Sequence, residues 1–196
     1  MMKPLVRIVL LFALAGLGAG CASGPSKFYT LSPTAEPGNA KETYSVAVGP
    51  VHVPEMVDRP QMVVNTSLNE VKIDEFNRWA SPLQSEIART VAENLVRKLG
   101  TRMVSAYPES AAVGASYRVM IDVVRFDSTP GKNVNLDSLW SVRRIKEGTS
   151  RAGRTTVSEA VSDGSTAGIV AAHSRAVGRL SGEVAEAIQE LERGGK

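Results

Sequence analysis

A chain of 196 residues in which 43% of side chains are hydrophobic can bury a sizeable core, and 23 Lys and Arg against 20 Asp and Glu leave neither the excess of a nucleic-acid binder nor that of a disordered segment. Its one cysteine, Cys21, excludes an internal disulfide framework and any cysteine-based metal cluster.

The N-terminus explains where that cysteine belongs. Lys3 and Arg7 precede an apolar run over 8–17, which dissolves into Gly and Ala just before Cys21. This is the layout of a secretory signal peptide, and the run is about half of the roughly 20 residues that a membrane-crossing helix needs. A small-residue stretch ending in Cys resembles a bacterial lipobox, in which the signal is cut before the cysteine and the thiol and new amine are acylated. Gly18 stands where that motif usually has Leu, and Leu17 lies one step further back. The competing cleavage, after the "ALA" of 13–15, would leave Cys21 as a free thiol in an oxidising compartment. One acyl chain binds a membrane marginally and two or more bind stably, so a multiply acylated Cys21 would be a lasting anchor. Ala22 and Ser23 follow it, without the Asp that retains enterobacterial lipoproteins at the inner membrane, and the expected location is the periplasmic face of the outer membrane. The division expected is a signal peptide over 1–20, a lipidated tether with a short strand over 21–43, and one domain over 44–196, nearly balanced in charge.

Along the mature chain, "FYTL" (28–31) predicts a short strand and the Pro- and Gly-bearing stretch after it a loop. "YSVAVGPVHVP" is dense in Val, as a central strand buried on both faces would be, with Pro50 and Pro54 bracketing its useful length. "QMVVNTS" and "NEVKIDEF" read as two further strands. "SPLQSEIARTVAENLVRKLG" is the clearest helix: Ser81 as N-cap, Pro82 at the first helical position, Gln84 closing a capping box, and Gly100 ending it. Its apolar stripe joins Leu83, Ile87, Val91, Leu95 and Leu99, widened by Ala88, Ala92 and Val96. "RMVSAYP" and "ASYRVMIDVVRFDS" predict strands, the second pointing Tyr117, Val119, Ile121 and Val123 one way and Met120, Val124 and Phe126 the other. A polar hairpin over 133–161, turning near Glu147 and Gly148, reads as nearer an edge. A last helix over 165–191 carries Ile169, Val177, Leu180, Val184, Ile188 and Leu191. The expected fold is α+β: a mostly antiparallel sheet with two amphipathic helices packed on one face.

Catalytic signatures are weak throughout. "GTSRAGRT" (148–155) has the spacing of a phosphate-binding loop, but Arg154 replaces the required Lys and the segment sits in a hairpin without a following helix. His173 falls on an apolar helix stripe as a partly buried, satisfied histidine, and His52 has no ligand at metal spacing. The glycines of "GRLSG" (178–182) fit a helix lying close on the sheet. Arg143, Arg144, Lys146, Arg151 and Arg154 read as a solvated edge that deters strand pairing, with contact to an anionic partner as the other reading. No enzyme activity, metal or cofactor is expected beyond the covalent acyl chains on Cys21.

Two stretches remain, "VAVGPVHVPEMVDRPQMV" (46–63) and "FNRWASPL" (76–83). With "FYTL" soon after the lipobox and the closing "AAHSRAVGRLSGEVAEAI", they resemble the PqiC (YmbA) family of ABC-type transport auxiliary lipoproteins. That resemblance implies an outer-membrane lipoprotein that accompanies inner-membrane ABC permeases and periplasmic MCE-domain proteins in intermembrane lipid transport and envelope integrity. Its partners would be the membrane and the distal end of an MCE assembly, whose ring form is compatible with a homo-oligomer. The contact surface is expected at Asp58, Arg59, Pro60 and Gln61, a tight turn, and at Asn77, Arg78 and Trp79, because Arg and Trp are enriched at binding hot spots. The other reading makes Trp79 a packing residue over the helix start. A free-standing periplasmic lipid carrier is the alternative function, although the strands read as filled by their own Val and Ile.

Overall fold

In the computed structural model, which describes residues 24–38, 42–107 and 114–194, the strand-forming stretches assemble into two sheets. Strands β1 (Lys27–Tyr29), β2 (Val46–His52), β3 (Gln61–Ser67) and β4 (Glu70–Trp79) precede helix α1 (Leu83–Leu99). Then follow β5 (Val104–Ala106), β6 (Tyr117–Thr129), β7 (Asn133–Arg144), β8 (Ser150–Ala160) and helix α2 (Thr166–Gly194). One sheet has five strands in the order β5-β2-β6-β7-β8, the other three in the order β1-β4-β3. The α+β class and the two helices on one sheet face agree with the sequence. The sheets are mixed, however: β2 runs parallel to both β5 and β6, and β1 parallel to β4, while β3–β4, β6–β7 and β7–β8 are antiparallel. Parallel neighbours require long crossovers, and α1 lies within the one that leads from β2 to β5.

The two helices pack on each other, α1 over β2 and β5 and α2 over β6, β7 and β8. Between them and the sheet lies one apolar core, which includes Val46, Val48, Val119, Ile121, Leu95, Leu180 and Ile188, all at most 1% exposed. The first stripe is buried as its spacing predicts, apart from the half-buried Val96, and Gly100 ends α1 at φ 64°. Its start differs. Pro82 occupies the N-cap with ψ 132°, so helical geometry begins at Leu83, one residue later than the Ser-Pro spacing predicts. No side chain caps the helix, and Gln84 reaches across to Asp58 instead of back to Ser81.

Two irregularities redirect strands. β2 continues through Pro50 to His52, because its register against β6 shifts between Val48 and Val51 and lets the proline bulge out of the ladder. In β6 the register against β7 shifts between Val123 and Arg125. One extra residue inverts the alternation, so Phe126, expected beside Met120 and Val124, is turned into the core while those two remain exposed.

The stretch expected as a loop, Leu31 to Gly38, is a strap laid across both helices. The Leu31 and Ser32 amides donate to Glu86 Oε2 and Ser174 Oγ, and those of Thr34 and Ala35 both donate to Asn94 Oδ1 at 2.9 Å. Gly38 N donates to the Arg97 carbonyl. Glu86, Asn94 and Ser174 are buried polar residues whose unused capacity the strap fills, and in return they partner the N–H groups that the strap lays against the helices. The glycines of 178–182 serve this packing: a Cβ on Gly178 would collide with Thr34, and Gly182 faces Cε and Nζ of Lys98 on α1. They face the strap and α1 in place of the sheet that the sequence suggested.

Candidate functional site

Three backbone segments meet where β1, the loop between β2 and β3, and the approach to α1 converge. Trp79 N donates to the Pro60 carbonyl at 2.8 Å and Ala80 N to the Tyr29 carbonyl at 2.9 Å. These bonds fix the walls of a surface groove of about 390 Å³, lined by Phe28, Asp58, Arg59, Pro60, Trp79 and Pro82, among others. Of the residues expected from sequence to form a contact surface, Asp58, Arg59 and Trp79 thus share one feature, while Gln61, Asn77 and Arg78 lie outside its lining.

Their environments differ. Both Asp58 oxygens accept from Gln84 Nε2 at 3.2 Å. Arg59 forms no ion pair among the described residues, and its buried Nε has no hydrogen-bond partner there. Gln61 Nε2 donates to Glu75 at 3.3 Å. Arg78 is held locally, its Nε donating to the Glu75 carbonyl at 3.0 Å. Asn77 accepts from the Tyr29 hydroxyl and donates to Asp74, within the stretch of β4 where the register against β3 shifts. Partial burial pushes the Asp74 carboxyl up, but hydrogen bonds from the Asn77 side chain and the Asn77 and Phe76 amides outweigh it and hold it below its ordinary value. Trp79 is only 7% exposed, and its ring meets Phe126 and His173 edge-on at 6.2 and 6.5 Å. It therefore packs into the core against β6 and α2, and can meet a partner only through the groove wall.

Behind Trp79 lies an internal cavity of about 20 Å³, walled also by Met62, Phe126, Ile169 and His173. That is room for about one water molecule. His173 stacks on Phe126 with centroids 3.9 Å apart, and its Nδ1 has no partner. Burial alone pulls its pKa down to about 3, so the imidazole is neutral, fully buried and incompletely satisfied, unlike the partly buried, satisfied histidine expected.

The second surface of note is the face of the five-stranded sheet turned away from the helices. Met120, Val124 and Leu139 are 38%, 51% and 46% exposed on neighbouring strands, with Met120 beside Ser141 and Asp122 beside Leu139 in the ladder. Around them stand the Arg125–Asp127 and Arg154–Asp137 ion pairs and Arg118, whose guanidinium lies over the Tyr107 ring. Sequence reasoning put Met120 and Val124 on the polar side of β6 without treating that side as a surface. Leu139 was missed because it stands among polar residues on the outer face of β7, and Phe28 because a three-residue strand is too short to show which side faces out.

The cationic run of the hairpin is largely paired: Arg144 with Glu147 and Glu192, Arg151 with Glu190, and Arg154 with Asp137. The phosphate-loop lookalike over 148–155 lies in the β7–β8 turn and the start of β8. Among the described residues no group of three His, Cys, Asp or Glu side chains is placed to hold a metal, and no helix is long and apolar enough to cross a membrane. The signal segment and Cys21 lie outside the described residues.

Two solved structures share this fold. A crystal structure of an uncharacterized protein superposes with a TM-score of 0.70 at 19% identity, covering 84% of this chain and 99% of the other. A Xanthomonas campestris protein of a family of unknown function gives 0.69 at 16% identity, covering 87% and 100%. No curated protein matches the chain. A family of sequences described as the ABC-type transport auxiliary lipoprotein component matches residues 29–185, from β1 through most of α2. With four-fifths of its length matched and its fold shared, the chain belongs to the ABC-type transport auxiliary lipoprotein family.

Proposed function

We propose that this lipoprotein is the outer-membrane-anchored subunit of an ABC/MCE-type intermembrane transport system, docking the periplasmic MCE assembly and supporting envelope integrity. The observation that carries the docking reading is the uncovered sheet face: an apolar centre of Met120, Val124 and Leu139 with ion pairs around it has the anatomy of a non-obligate protein interface. Of the residues first expected to make that contact, Asp58, Gln61, Asn77 and Arg78 are held by internal hydrogen bonds and Trp79 by the core, which favours the sheet as the docking surface. The role is binding without catalysis, with no cofactor apart from the acyl chains on Cys21.

The alternative, a free-standing lipid carrier, requires an enclosed chamber of several hundred Å³. The cavity behind Trp79 holds about 20 Å³, which favours a filled domain whose lipid path lies in a neighbouring subunit. Affinity purification of the full chain from cross-linked cells tests this. MCE protein should be retained, whether or not a lipid accompanies it. Stoichiometric lipid with no MCE protein would replace the docking model with the carrier model.

A further inference from the structure

The groove at Phe28 and Arg59 combines features that protein packing does not account for. Phe28 is 65% exposed on β1, at the edge of the three-stranded sheet. Pro60, Trp79 and Pro82 supply apolar walls. Arg59 brings a guanidinium with no ion pair among the described residues and a buried Nε without an acceptor. An unpaired buried donor on a cation is costly, and a guanidinium matches the oxygens of a phosphate or carboxylate in a planar, two-pronged fashion. The groove is therefore built for a molecule with an anionic head and an apolar body.

Chain length identifies its source. Phe28 is seven residues from Cys21, and a segment of that length reaches at most about 25 Å when fully extended. With Cys21 acylated, β1 and the groove are held beside the leaflet that takes the acyl chains, and the exposed Lys27 adds a second cation at the same edge. Trp, Lys and Arg place an apolar body and a polar tip at a membrane boundary, and Phe adds a wholly apolar ring. We propose that the groove is a seat for an anionic phospholipid of the anchoring leaflet. The phosphate is held by Arg59, and the upper acyl region lies between Phe28, Pro60, Trp79 and Pro82. The site orients the domain on its membrane, so that the uncovered sheet face has a fixed presentation to its partner. Asp58 opposes this charge from the groove wall, with its oxygens turned to Gln84, and its removal strengthens the site. The proposal rests on the lipoprotein reading of Cys21.

The test uses the full-length protein, purified with its anchor and reconstituted into phosphatidylcholine vesicles containing a photoactivatable phosphatidylglycerol, with photoactivatable phosphatidylcholine as the neutral probe. Cross-linked peptides are read by mass spectrometry. Labelling should fall on the peptides carrying Phe28, Arg59 to Pro60 and Trp79 to Pro82, and be stronger with the anionic probe. Arg59→Gln should reduce it by about tenfold, as loss of a charge-assisted contact implies. Phe28→Ser, at an exposed position that leaves the core intact, should reduce it also, and Asp58→Asn should increase it. Labelling that is insensitive to Arg59→Gln and Phe28→Ser, or concentrated elsewhere on the domain, would overturn the proposal. So would an Arg59→Gln variant that keeps its lipid labelling but loses MCE co-purification, because the groove would then be a protein-docking site. The intact mass reports acylation of Cys21 separately. If acylation is absent, the anchor reading fails and the same labelling with externally added vesicles still decides the groove.

Discussion

At the residue scale, His173 sets the acid response of the molecule. Its pKa lies at about 3 against an ordinary 6.5, with burial as the cause, so the native state takes up a proton less readily than the unfolded chain. Stability from this residue is fully present above about pH 6.5 and is lost as pH falls from there toward about 3, at about 1.4 kcal/mol per pH unit. The carboxyls of Asp74, Asp137, Glu159 and Asp163 are all held below their ordinary values, so the stability they contribute is lost only as pH falls below those ordinary values. The interval between about pH 6 and 5 therefore isolates the imidazole. His173→Phe should keep the stack on Phe126, remove the unpartnered Nδ1 and flatten the loss of stability across that interval, as read by chemical denaturation at successive pH values. A variant that loses stability as steeply as the parent would place the acid sensitivity elsewhere.

At the element scale, the strap from Leu31 to Gly38 ties the tether to the helix pair. Asn94 accepts from two strap amides and donates to Ser181 Oγ at 3.2 Å, so Asn94→Ala strands a buried and a partly buried N–H group at once. The expected cost is about 2–4 kcal/mol, with hydrogen exchange rising first over 32–38. Equal protection of the strap in parent and variant would show that its hold lies in Glu86 and Ser174. These contacts also mark where sequence reading stops. Both helices, every strand and the Gly100 stop were legible, because apolar periodicity and end signals are local. The strap was not, since its partners lie 55 to 142 residues away and its Pro-rich stretch has no period. Ladder direction was equally hidden. Phe126 was misplaced because a bulge leaves no mark in the residues that surround it, and Ser81 because a Ser-Pro pair does not specify which residue leaves the helix. Of the groove, Asp58, Arg59, Pro60 and Trp79 were singled out together through their residue types. The exposed apolar residues that complete the two surfaces were invisible until the sheets assembled.

At the scale of the whole molecule, the proposed arrangement turns β1 and the groove to the membrane and leaves the uncovered face of the five-stranded sheet to a protein. Docking from that face is the central claim. A binding titration of the detergent-purified full-length protein against the periplasmic part of its cognate MCE protein tests it most directly, using Met120→Glu and Leu139→Glu at the apolar centre. Leu68→Ser, at the 97% exposed tip between β3 and β4, serves as the control. The account predicts saturable binding that either charged variant weakens by about tenfold or more and that Leu68→Ser leaves unchanged. Parent affinity retained by both sheet variants, or no binding by the parent protein, would contradict it.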